Sequence, residues 1–473
     1  MMKIKSKRQK LQSASSLAKT PDFSPAIFKA YDIRGVYPTE INEKAAYLIG
    51  RGFIKFLKKK NPRVVAARDN RLSSPVLFRN LVKGMVDEGG MVIDIGLSTS
   101  PMLYWAVAYF GFDGGINVTA SHNPPVFNGF KIVGKEADPI GKEAGLEEIK
   151  TLVLRGEFKE KKKKGRITKK KVLTSYVKFV KKKINLKKIK SFKICVDTAN
   201  AVSGILIPPI FKETNCRIYH LFSHLDGNFP NHSPDPLTKK NLRSLQEAVV
   251  IREADFGVAF DGDGDRMFFV DEKGKIIPAD IITALIASLI LKEKPGEKIY
   301  YDIRSSNVVK EIIEETGGVP IAGRIGHAII KNQMKKEKIV FGGELSGHYF
   351  HKENYFCEAP FFVLFTILKE LSQRGVKLSE LVHPLEKYFH SGEINFKIAD
   401  KEKITHQLQE HFKNKNGRIC RLDGLRIDFD DWWFLVRPSN TESVLRLVIE
   451  AKTRKLLNEK KEELIGIISG GEL

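Results

Sequence analysis

The sequence predicts an α/β protein of four domains around a central cleft, with three similar mixed α/β sheet domains and a small C-terminal α+β domain. Strand-like and helix-like stretches alternate through three successive segments, which is the pattern of α/β units. After a long helical pattern at 359–375, the remaining chain favours antiparallel strands with one amphipathic helix. The 473 residues are enough for two to four domains.

The elements of each segment follow from apolar runs bounded by glycine and polar residues. In the first segment, the predicted strands are FKAYDIRG, VVAARD, MVIDIG and GGINVTA, with helices at 42–59, 74–88 and 101–110. The second segment has the strands FKICVD, RIYHLF and FGVAFD. The third has the strands KIYYDI and KIVFGG, with helices at 279–292, 306–316 and 327–336. The last segment has the strand-like stretches EINFKI, LRIDFD, WWFLVRP and VLRLVIEA.

Changes in composition divide the chain. A lysine-rich stretch near 158–171 separates the first two segments, and the turn DEKGK at 271–275 opens the third. We predict a basic N-terminal extension followed by four domains, at residues 1–22, 23–165, 166–270, 271–385 and 386–473.

Cysteine spacing and hydropathy indicate the cellular compartment in which we expect the protein. The four cysteines are far apart and form no CxxC pair, so the sequence indicates neither a disulfide framework nor a zinc site. No apolar run is long and charge-free enough to span a bilayer. We expect a cytoplasmic protein without a membrane partner, as a monomer or a weak dimer.

The net charge of +24 is unusually positive. Much of it lies in KEKKKKGRITKKK (159–171) and VKKKINLKKIKSFK (180–193). Such runs can bind nucleic acid. No RNP-type aromatic motif or recognition helix accompanies the lysines, so a solvated helix face or linker is the favoured interpretation. A basic nucleic-acid-binding protein on the same scaffold stays an alternative of another class.

An aspartate-rich loop, DGDGDR (261–266), follows the strand FGVAFD. Three carboxylates this close raise one another's pKa, and a bound hard cation removes that penalty. Oxygen ligands favour Mg²⁺ or Ca²⁺ over zinc, so Asp261, Asp263 and Asp265 are predicted metal ligands. An EF-hand is rejected, because position six of the loop is Arg266 rather than glycine and the chain continues as a strand.

A serine, Ser121, leaves the strand GGINVTA just before a stiff loop that contains Pro124 and Pro125. Magnesium in proteins is usually shared with a phosphoryl oxygen, so the aspartate trio leaves room for a phosphate ligand. A phosphorylated Ser121 would supply that ligand. Lys131 and Arg34 would lie beside it to steady charge or to move a proton.

The loop GELSGH (343–348) offers groups that suit a sugar. Glu344, Ser346 and His348 alternate, so their side chains share one face if the segment is extended. A carboxylate, a hydroxyl and an imidazole in this arrangement suit vicinal sugar hydroxyls.

The loop RPSNTES (437–443) offers groups that suit a phosphate. A guanidinium gives a planar fork of donors, and the turn adds hydroxyl and backbone N–H donors. The residues of this predicted phosphate cradle are Arg437, Ser439, Asn440 and Thr441.

Taken in order, these loops resemble those of the α-D-phosphohexomutase superfamily, in its phosphomannomutase/phosphoglucomutase branch. The motifs that carry the resemblance are TASHNP (119–124), DGDGDR, GELSGH and RPSNTES, supported by YDIRG, NGFKI, DGNFPNHSPDP and GHAIIKNQM. The resemblance extends from about residue 23 to 455, nearly the whole chain.

The resemblance implies a role for each loop. It implies that Ser121 is a phosphoserine, which binds one Mg²⁺ together with the three aspartates. It implies that the residues of GELSGH bind sugar hydroxyls and that the cradle holds the existing phosphate of the substrate. Other predicted catalytic or substrate-binding residues are Arg34, His122, Lys131, Arg266, Arg304 and His327, with Lys131 favoured for proton transfer.

The activity implied is interconversion of hexose 6-phosphate and hexose 1-phosphate, with mannose and/or glucose as the sugar. The reaction would use a phosphoserine enzyme and a hexose 1,6-bisphosphate, which serves as intermediate and activator. A base role for Lys131 requires a lowered pKa, which neighbouring cations would provide. Turning the intermediate requires the fourth domain to open, so we expect a hinge near 384–390.

Small departures from the family pattern bear on which sugar phosphate is the substrate. GELSGH has leucine where the mannose/glucose branch more often has methionine, and it does not match the glutamine typical of the glucosamine branch. SNTE in the last loop matches the mannose/glucose branch, although Glu442 and Ser443 replace a frequent acidic-then-proline ending. Phosphoglucosamine mutase stays the alternative within the same fold.

Overall fold

The computed structural model of the chain describes residues 22–183, 189–439 and 444–470. Nearly all of the basic extension predicted at 1–22, part of the lysine run at 180–193, and the cradle residues Asn440 and Thr441 lie outside the described residues. The described part of the chain contains no helix with the length and apolar character that a bilayer span requires.

The first sheet has six strands, flanked by helices on both faces. Its strands are β1 (Ile33–Val36), β2 (Arg63–Arg68), β3 (Met91–Leu97), β4 (Gly114–Val118), β5 (Phe127–Gly134) and β6 (Arg166–Lys169), and its helices are α1 (Glu43–Phe56), α2 (Ser74–Asp87), α3 (Ser100–Tyr109) and α4 (Leu146–Arg155). The strand order is β1-β5-β4-β2-β3-β6. Because alternate residues of a strand face opposite sides, Val64 and Ala66 share a core with α1 and α2, whereas Val65 and Ala67 share one with α3.

The second sheet has five strands in the order β11-β10-β9-β7-β8. The elements of this part of the chain are α5 (Leu173–Lys183), β7 (Lys193–Asp197), α6 (Ile207–Phe211), β8 (Arg217–Leu221), α7 (Arg243–Ile251), β9 (Phe256–Phe260), β10 (Met267–Asp271) and β11 (Ile276–Ile277). β7 pairs in parallel with β8 and β9, whereas β10 runs antiparallel to β9.

The third sheet also has five strands, in the order β13-β12-β14-β15-β16. Its elements are α8 (Ala279–Glu293), β12 (Lys298–Asp302), α9 (Asn307–Glu315), β13 (Val319–Gly323), α10 (His327–Glu337), β14 (Phe341–Gly343), β15 (Tyr349–His351), β16 (Cys357–Glu358), α11 (Pro360–Arg374) and α12 (Leu378–Val382). β12 pairs in parallel with β13 and β14, and β15 runs antiparallel to β14.

The fourth sheet is antiparallel throughout its described pairings. Its elements are β17 (Phe389–His390), β18 (Ile394–Phe396), α13 (Lys401–Phe412), β19 (Arg418–Cys420), β20 (Leu425–Asp428), β21 (Trp432–Pro438), β22 (Leu445–Ala451) and α14 (Arg454–Ile468). The predicted fold class, with three α/β sheets followed by a distinct α+β sheet, is confirmed.

Each of the four predicted functional loops joins two paired antiparallel strands of its own sheet. The serine loop joins β4 to β5, the aspartate loop joins β9 to β10, GELSGH joins β14 to β15, and RPSNTES joins β21 to β22. This arrangement explains why Lys131 follows Ser121 so closely in the chain. The strand β5 returns along β4 and places Lys131 opposite Asn117.

Some predicted bounds differ from the observed elements. The stretch FKAYDIRG is not one strand, because Lys29 N donates to Asp32 O and folds the segment into a turn before β1. The first sheet continues past residue 165 through β6, and the second sheet continues past residue 270 through β11. The predicted division into domains stays a prediction.

Candidate active site

Ser121 is buried at the start of the loop after β4, with φ of 50°. Its hydroxyl donates a hydrogen bond of 2.6 Å to Asp261 Oδ2, although the two residues are 140 positions apart. Nδ1 of His122 lies 3.3 Å from the same hydroxyl oxygen. Burial and the positive charges of Arg266 and Arg34 hold the pKa of His122 well below its ordinary value, so its imidazole is neutral.

The three aspartates of the second loop are buried and converge. Carboxylate oxygens of Asp261, Asp263 and Asp265 lie within 4.8 Å of one another. The backbone N–H groups of Asp265 and Arg266 donate to Asp261 Oδ1 at 3.0 and 3.2 Å, which fixes that carboxylate. Gly264 has φ of 71°, a conformation that glycine adopts without strain, so the tight loop depends on this glycine.

These oxygens fit a hard divalent cation. The donors are three carboxylates with the Ser121 hydroxyl beside them, and such oxygens are the ligands that Mg²⁺ and Ca²⁺ take in proteins. Oδ1 of Asp263 is buried and has no hydrogen-bond partner among the described residues. A buried carboxylate oxygen without a donor indicates a ligand at this position.

Burial and neighbouring charges shift the pKa values of Asp261 and Asp265 in opposite directions. Burial raises the pKa of Asp261 well above its ordinary value, and the charges of Asp265 and Asp263 raise it further. Burial also acts to raise the pKa of Asp265, but Lys131 and His348 outweigh it and hold that pKa well below its ordinary value. The expected mutual raising of pKa therefore holds for Asp261 and is wrong for Asp265.

Lys131 reaches the aspartates from β5. Its Nζ lies 2.7 Å from Asp263 Oδ2 and also pairs with Asp265 Oδ2. Burial acts to lower the pKa of Lys131, but the carboxylates outweigh burial and raise that pKa above its ordinary value. The prediction that Lys131 has a lowered pKa is wrong, because anionic rather than cationic groups surround its ammonium.

Glu344, Ser346 and His348 come together in the turn between β14 and β15. His348 Nδ1 lies 2.8 Å from Glu344 Oε2 and 3.0 Å from Ser346 Oγ. Gly347 N donates to Glu344 O, and Gly347 has φ of 86°, so the segment is a tight turn. The segment is therefore not extended, but the three side chains converge in the turn.

This turn also contacts the aspartate loop. Arg266 and His348 form an isolated antiparallel bridge, and His348 Nε2 lies 3.3 Å from Asp265 Oδ1. Burial acts to lower the pKa of His348, but Asp265 and Glu344 outweigh burial and raise the pKa to about 9. The predicted sugar loop and the predicted metal loop are therefore neighbours, joined by backbone and charge.

Arg304 follows β12 and connects three carboxylates. Its guanidinium lies 2.8 Å from Asp302, 3.5 Å from Glu344 and 3.2 Å from Glu393. Asp302 and Glu344 belong to the third sheet region, whereas Glu393 precedes β18 of the fourth. Arg304 therefore bridges the third and fourth sheets beside the sugar loop.

His327 and Arg34 approach the site from other elements. His327 begins α10, and burial together with the charge of Lys331 holds its pKa well below the ordinary value. Arg34, on β1, donates to Asn123 Oδ1 in the serine loop and pairs with Asp32. The structure thus brings Arg34 to the serine loop itself.

The predicted phosphate cradle is centred on two arginines. Arg437 on β21 lies directly opposite Arg446 on β22. Like charges opposite each other in a sheet repel, so this pair indicates an anion site. Glu393 lies 3.5 Å from Arg446 Nη1 and counters part of the charge. Nε of Arg437 is buried and has no hydrogen-bond partner among the described residues.

The rest of the cradle is described in part. Ser439 N donates to Val444 O at 2.9 Å, which closes the base of the loop. Asn440 and Thr441 lie outside the described residues, so their predicted roles stay predictions.

Several polar residues of this region belong to none of the predicted sets. Ser100 on α3 donates to Asp263 Oδ2, and Asn117 donates to Ser100 Oγ at 3.0 Å. Arg71 binds the backbone of the serine loop. The sequence carries a signal for Arg446, which lies on the strand that continues RPSNTES, but no motif marks Ser100 or Arg71.

Comparison with known proteins identifies the family. Family models of four domains match successive parts of the chain. They are the phosphoglucomutase/phosphomannomutase alpha/beta/alpha domain I at 25–160, domain II at 174–274, domain III at 278–388, and the C-terminal domain at 393–467. The fold and the site together define a member of the α-D-phosphohexomutase superfamily. Within it, the chain belongs to the phosphoglucomutase/phosphomannomutase family, and the predicted family and enzyme class are confirmed.

Individual relatives agree with this assignment. A phosphomannomutase of Methanocaldococcus jannaschii is 40% identical over 449 residues, covering 94% of this chain and 97% of its own length. A phosphomannomutase/phosphoglucomutase of Pseudomonas syringae pv. tomato is 37% identical over 451 residues, covering 94% and 95%. The X-ray structure of a phosphoglucomutase/phosphomannomutase family protein from Burkholderia thailandensis matches with a TM-score of 0.87 and 31% identity, covering 95% and 99%.

Proposed function

We propose that the protein is a phosphohexomutase that interconverts the 6-phosphate and 1-phosphate of mannose and/or glucose. One observation carries the proposal: the Ser121 hydroxyl lies 2.6 Å from Asp261 within a buried set of carboxylates and cations. Relatives named phosphomannomutase and phosphomannomutase/phosphoglucomutase, similar along almost their whole length, support it.

Phosphorylated Ser121 is the proposed phosphoryl donor. The bond between phosphorus and Ser121 Oγ breaks as a bond to the free hydroxyl oxygen of the hexose phosphate forms, which gives a hexose 1,6-bisphosphate. The other phosphate of that intermediate then returns to Ser121 and leaves the isomeric monophosphate. A trace of hexose 1,6-bisphosphate is the proposed activator, because it phosphorylates unmodified Ser121.

His122 is the proposed proton carrier at Ser121. Its neutral Nδ1 lies 3.3 Å from Ser121 Oγ, so the hydroxyl proton, which is donated to Asp261 Oδ2, would reach this nitrogen by rotation of the hydroxyl. When Ser121 takes a phosphoryl group, this nitrogen accepts the serine proton and passes it to the sugar oxygen that the phosphorus leaves. In the opposite direction it takes the proton of the attacking sugar hydroxyl and passes it to the serine oxygen. Lys131 instead remains protonated and, with Arg266 and Arg34, supplies positive charge near the transferring group.

Asp261, Asp263 and Asp265 are the residues proposed to hold Mg²⁺. When bound, the ion would neutralise charge that develops on the transferring phosphoryl group. The protein's own part is to keep the three carboxylates buried and aligned, through the N–H donors of Asp265 and Arg266 and the contact from Ser100.

The substrate is proposed to lie between the sugar loop and the cradle. Glu344, Ser346 and His348 offer acceptors and donors to vicinal hydroxyls. The substrate's existing phosphate would bind at Arg437 and Ser439, with Asn440 and Thr441 completing the set, and Arg304 and His327 lining the space between. Because the intermediate presents each end in turn to Ser121, the cradle must release and recapture a phosphate, which fits a hinge near 384–390.

A mutase assay tests the proposal most simply. Purified protein is given Mg²⁺, a trace of glucose 1,6-bisphosphate, and the 1-phosphate of mannose, glucose or glucosamine in separate reactions. We expect turnover of mannose and/or glucose phosphate to exceed that of glucosamine phosphate. Preferred turnover of glucosamine phosphate would favour the glucosamine alternative, and no turnover of any of the three would contradict the proposal.

The lysine runs do not favour a nucleic-acid function. Within 159–171, Lys161 lies 3.3 Å from Glu88 and Lys164 lies 2.9 Å from Asp87, so part of the run is paired within the domain. A gel shift with DNA and RNA at physiological salt checks this interpretation, and we expect no tight binding. The cytoplasmic location and the monomeric or weakly dimeric state stay predictions.

A further inference from the structure

Arg71 is a fully buried arginine that lies between β2 and α2, about fifty positions before the serine loop. Its guanidinium donates to four backbone carbonyls of that loop. Nη2 donates to Ser121 O and Asn123 O at 2.7 Å each, and Nη1 donates to Pro124 O at 2.7 Å and to Phe127 O at 3.1 Å. One side chain therefore binds the whole loop from Ser121 to Phe127.

The serine loop needs such a partner because it has little hydrogen bonding of its own. Pro124 and Pro125 have no backbone N–H to donate. The backbone bonds within the loop are those of Asn123 N to Ala120 O and Phe127 N to Pro124 O. The carbonyl of the buried Ser121 would be costly without a donor, and the guanidinium supplies donors to it and to three further carbonyls of the loop.

The reacting serine also has a strained backbone. Ser121 has φ of 50°, in the left-handed region, which costs a non-glycine residue about 1–2 kcal/mol. Such a conformation persists where the surroundings fix it. The carbonyl of Ser121 is held by Arg71 on one side and packs so closely against Gly262 that a Cβ there would collide with it. Arg71 and Gly262 therefore both contact the backbone from which the Ser121 side chain projects.

Arg71 is itself held in place. Its backbone N–H donates to Asp69 Oδ1 at 3.0 Å, and its Nε lies 3.2 Å from Asp69 Oδ2. The ring of Phe229, from the segment DGNFPNHSPDP after β8, lies 5.0 Å from the guanidinium carbon. The guanidinium is therefore fixed between the first and second sheet regions, with little freedom to follow a displaced loop.

We propose that Arg71 is a positioning residue for phosphoryl transfer at Ser121, which rests on the proposed mutase function. Arg71 acts through the backbone of residues 121–127, and its hydrogen bonds and ion pairs in the described part of the chain involve neither the predicted cradle nor the sugar loop. Its loss should therefore slow the chemical step while substrate binding is retained. A misplacement of the reacting oxygen by about 1 Å is enough to cost about 100-fold in rate.

The test compares Arg71→Lys and Arg71→Met with Arg51→Lys. Arg51 is the matched control, because it is a largely buried arginine of the same domain that pairs with Glu88 at 2.8 Å and donates to Lys159 O, away from the serine loop. For each variant we measure kcat, KM, the single-turnover rate of phosphoryl transfer from the phosphorylated enzyme, hydrogen exchange of the amides at 121–130, and Tm.

We expect Arg71→Lys to lower kcat and the single-turnover rate by about 10–100-fold while KM changes less than about 3-fold, because a lysine ammonium cannot reach four carbonyls as the guanidinium fork does. Amide exchange at 121–130 should be faster in Arg71→Lys and unchanged in Arg51→Lys. Arg71→Met should be slower than Arg71→Lys if it folds, and Arg71→Lys alone decides the question if it does not.

Three results would overturn the positioning role: wild-type kcat in Arg71→Lys, a change confined to KM, or equal losses of kcat and Tm in Arg71→Lys and Arg51→Lys. A wild-type protein without mutase activity would instead end the proposed function. In that case, unchanged amide exchange in Arg71→Lys would overturn the role of Arg71, and faster exchange confined to the serine loop would support it.

Discussion

The two ends of the proposed site are held together in different ways. At the serine end, contacts to the backbone add to the ion pairs of Lys131 with the aspartates. Arg71 donates to Ser121 O, Gly262 packs on the same carbonyl, and Ser100 N donates to Asp263 O at 2.9 Å. At the cradle end, contacts run between charged side chains. Glu393 lies within ion-pair distance of Arg304 and Arg446, and two arginines face each other across β21 and β22.

This difference matches what each end must do. In-line phosphoryl transfer depends on the position of the attacking and leaving oxygens, so the serine end gains from fixed backbone contacts. In the proposed reaction, the cradle would bind a phosphate and later release it. Ion pairs between side chains can exchange one anion for another, and in the proposed reaction a substrate phosphate would take over contacts that Glu393 makes with Arg304 and Arg446. The contacts at the serine end therefore suit the positioning of the reacting oxygens, and those at the cradle end suit the exchange of one anion for another.

The largest expected effect is at the serine end. Ser121→Ala removes the oxygen that is proposed to carry the phosphoryl group, so we expect kcat to fall about 10⁴-fold or more. A coupled assay for hexose 6-phosphate formation measures it. The control is Ser175→Ala, on the exposed face of α5, which should keep wild-type activity. Full activity in Ser121→Ala would remove the phosphoserine from the mechanism.

A second change tests the aspartate loop. Asp263→Asn removes one carboxylate from the trio while keeping its shape, so we expect kcat to fall about 10²–10³-fold and the Mg²⁺ concentration for half-maximal activity to rise. A metal titration of activity, together with calorimetric Mg²⁺ binding, measures both. Asp430→Asn, an exposed aspartate before β21, is the control. An unchanged Mg²⁺ titration in Asp263→Asn would exclude the trio from the site.

The cradle should respond in KM rather than in kcat. Arg437→Ala removes a guanidinium from a proposed phosphate contact worth about 1.5–3 kcal/mol, so we expect KM to rise about 10–100-fold. Steady-state kinetics measure it, with the exposed Arg418→Ala on β19 as the control from the same sheet. If Arg437→Ala lowered kcat and left KM unchanged, the contrast between the two ends would be wrong.

The smallest expected effect concerns the ion pairs of Glu463, which lie outside both ends of the site. It tests the stability of the fourth domain. Glu463 lies 2.7 Å from Lys460 and 3.1 Å from Lys415. Burial acts to raise its pKa, but Lys460, His411 and Lys415 outweigh burial and lower the pKa from 4.5 to about 2. Because the folded pKa is below the unfolded value, the stabilisation is present above pH 4.5 and is lost as the pH falls toward 2.

Glu463→Gln should therefore lower the free energy of unfolding by about 1 kcal/mol at pH 7, since the group is partly exposed, and by less as the pH falls below 4.5. Denaturant unfolding at a series of pH values measures the difference from wild type. Mutase activity at pH 7 should not change. A difference in stability that grew toward low pH would contradict the assigned ion pairs.

The motifs were sufficient to predict the four loops, the fold class and the convergence of Ser121 with the aspartates. Their chemistry is local in the sequence: DGDGDR and GELSGH each carry several functional side chains within six residues. The geometry within a loop was harder to predict. GELSGH is a tight turn rather than an extended segment, because its ends are tied to antiparallel strands whose pairing the sequence does not specify.

The pKa of Lys131 and the contacts of Arg71 depend on distant pairings. Lys131 meets carboxylates because β5 pairs antiparallel with β4 and turns its ammonium toward a loop about 130 residues away. Arg71 binds carbonyl oxygens, which every residue has, so no side-chain pattern can mark its partners. Side-chain contacts to backbone carbonyls are therefore the part of this site that cannot be predicted from the sequence.

The most direct test follows the phosphoryl group itself. The protein is labelled with ³²P from labelled glucose 1,6-bisphosphate, digested to locate the label, and in a parallel sample mixed with unlabelled hexose 6-phosphate. We predict that the label lies on the peptide containing Ser121 and moves to the hexose within one turnover, at a rate no slower than kcat. Label on another residue, or label that stays on the protein while product forms, would contradict phosphoryl transfer through Ser121.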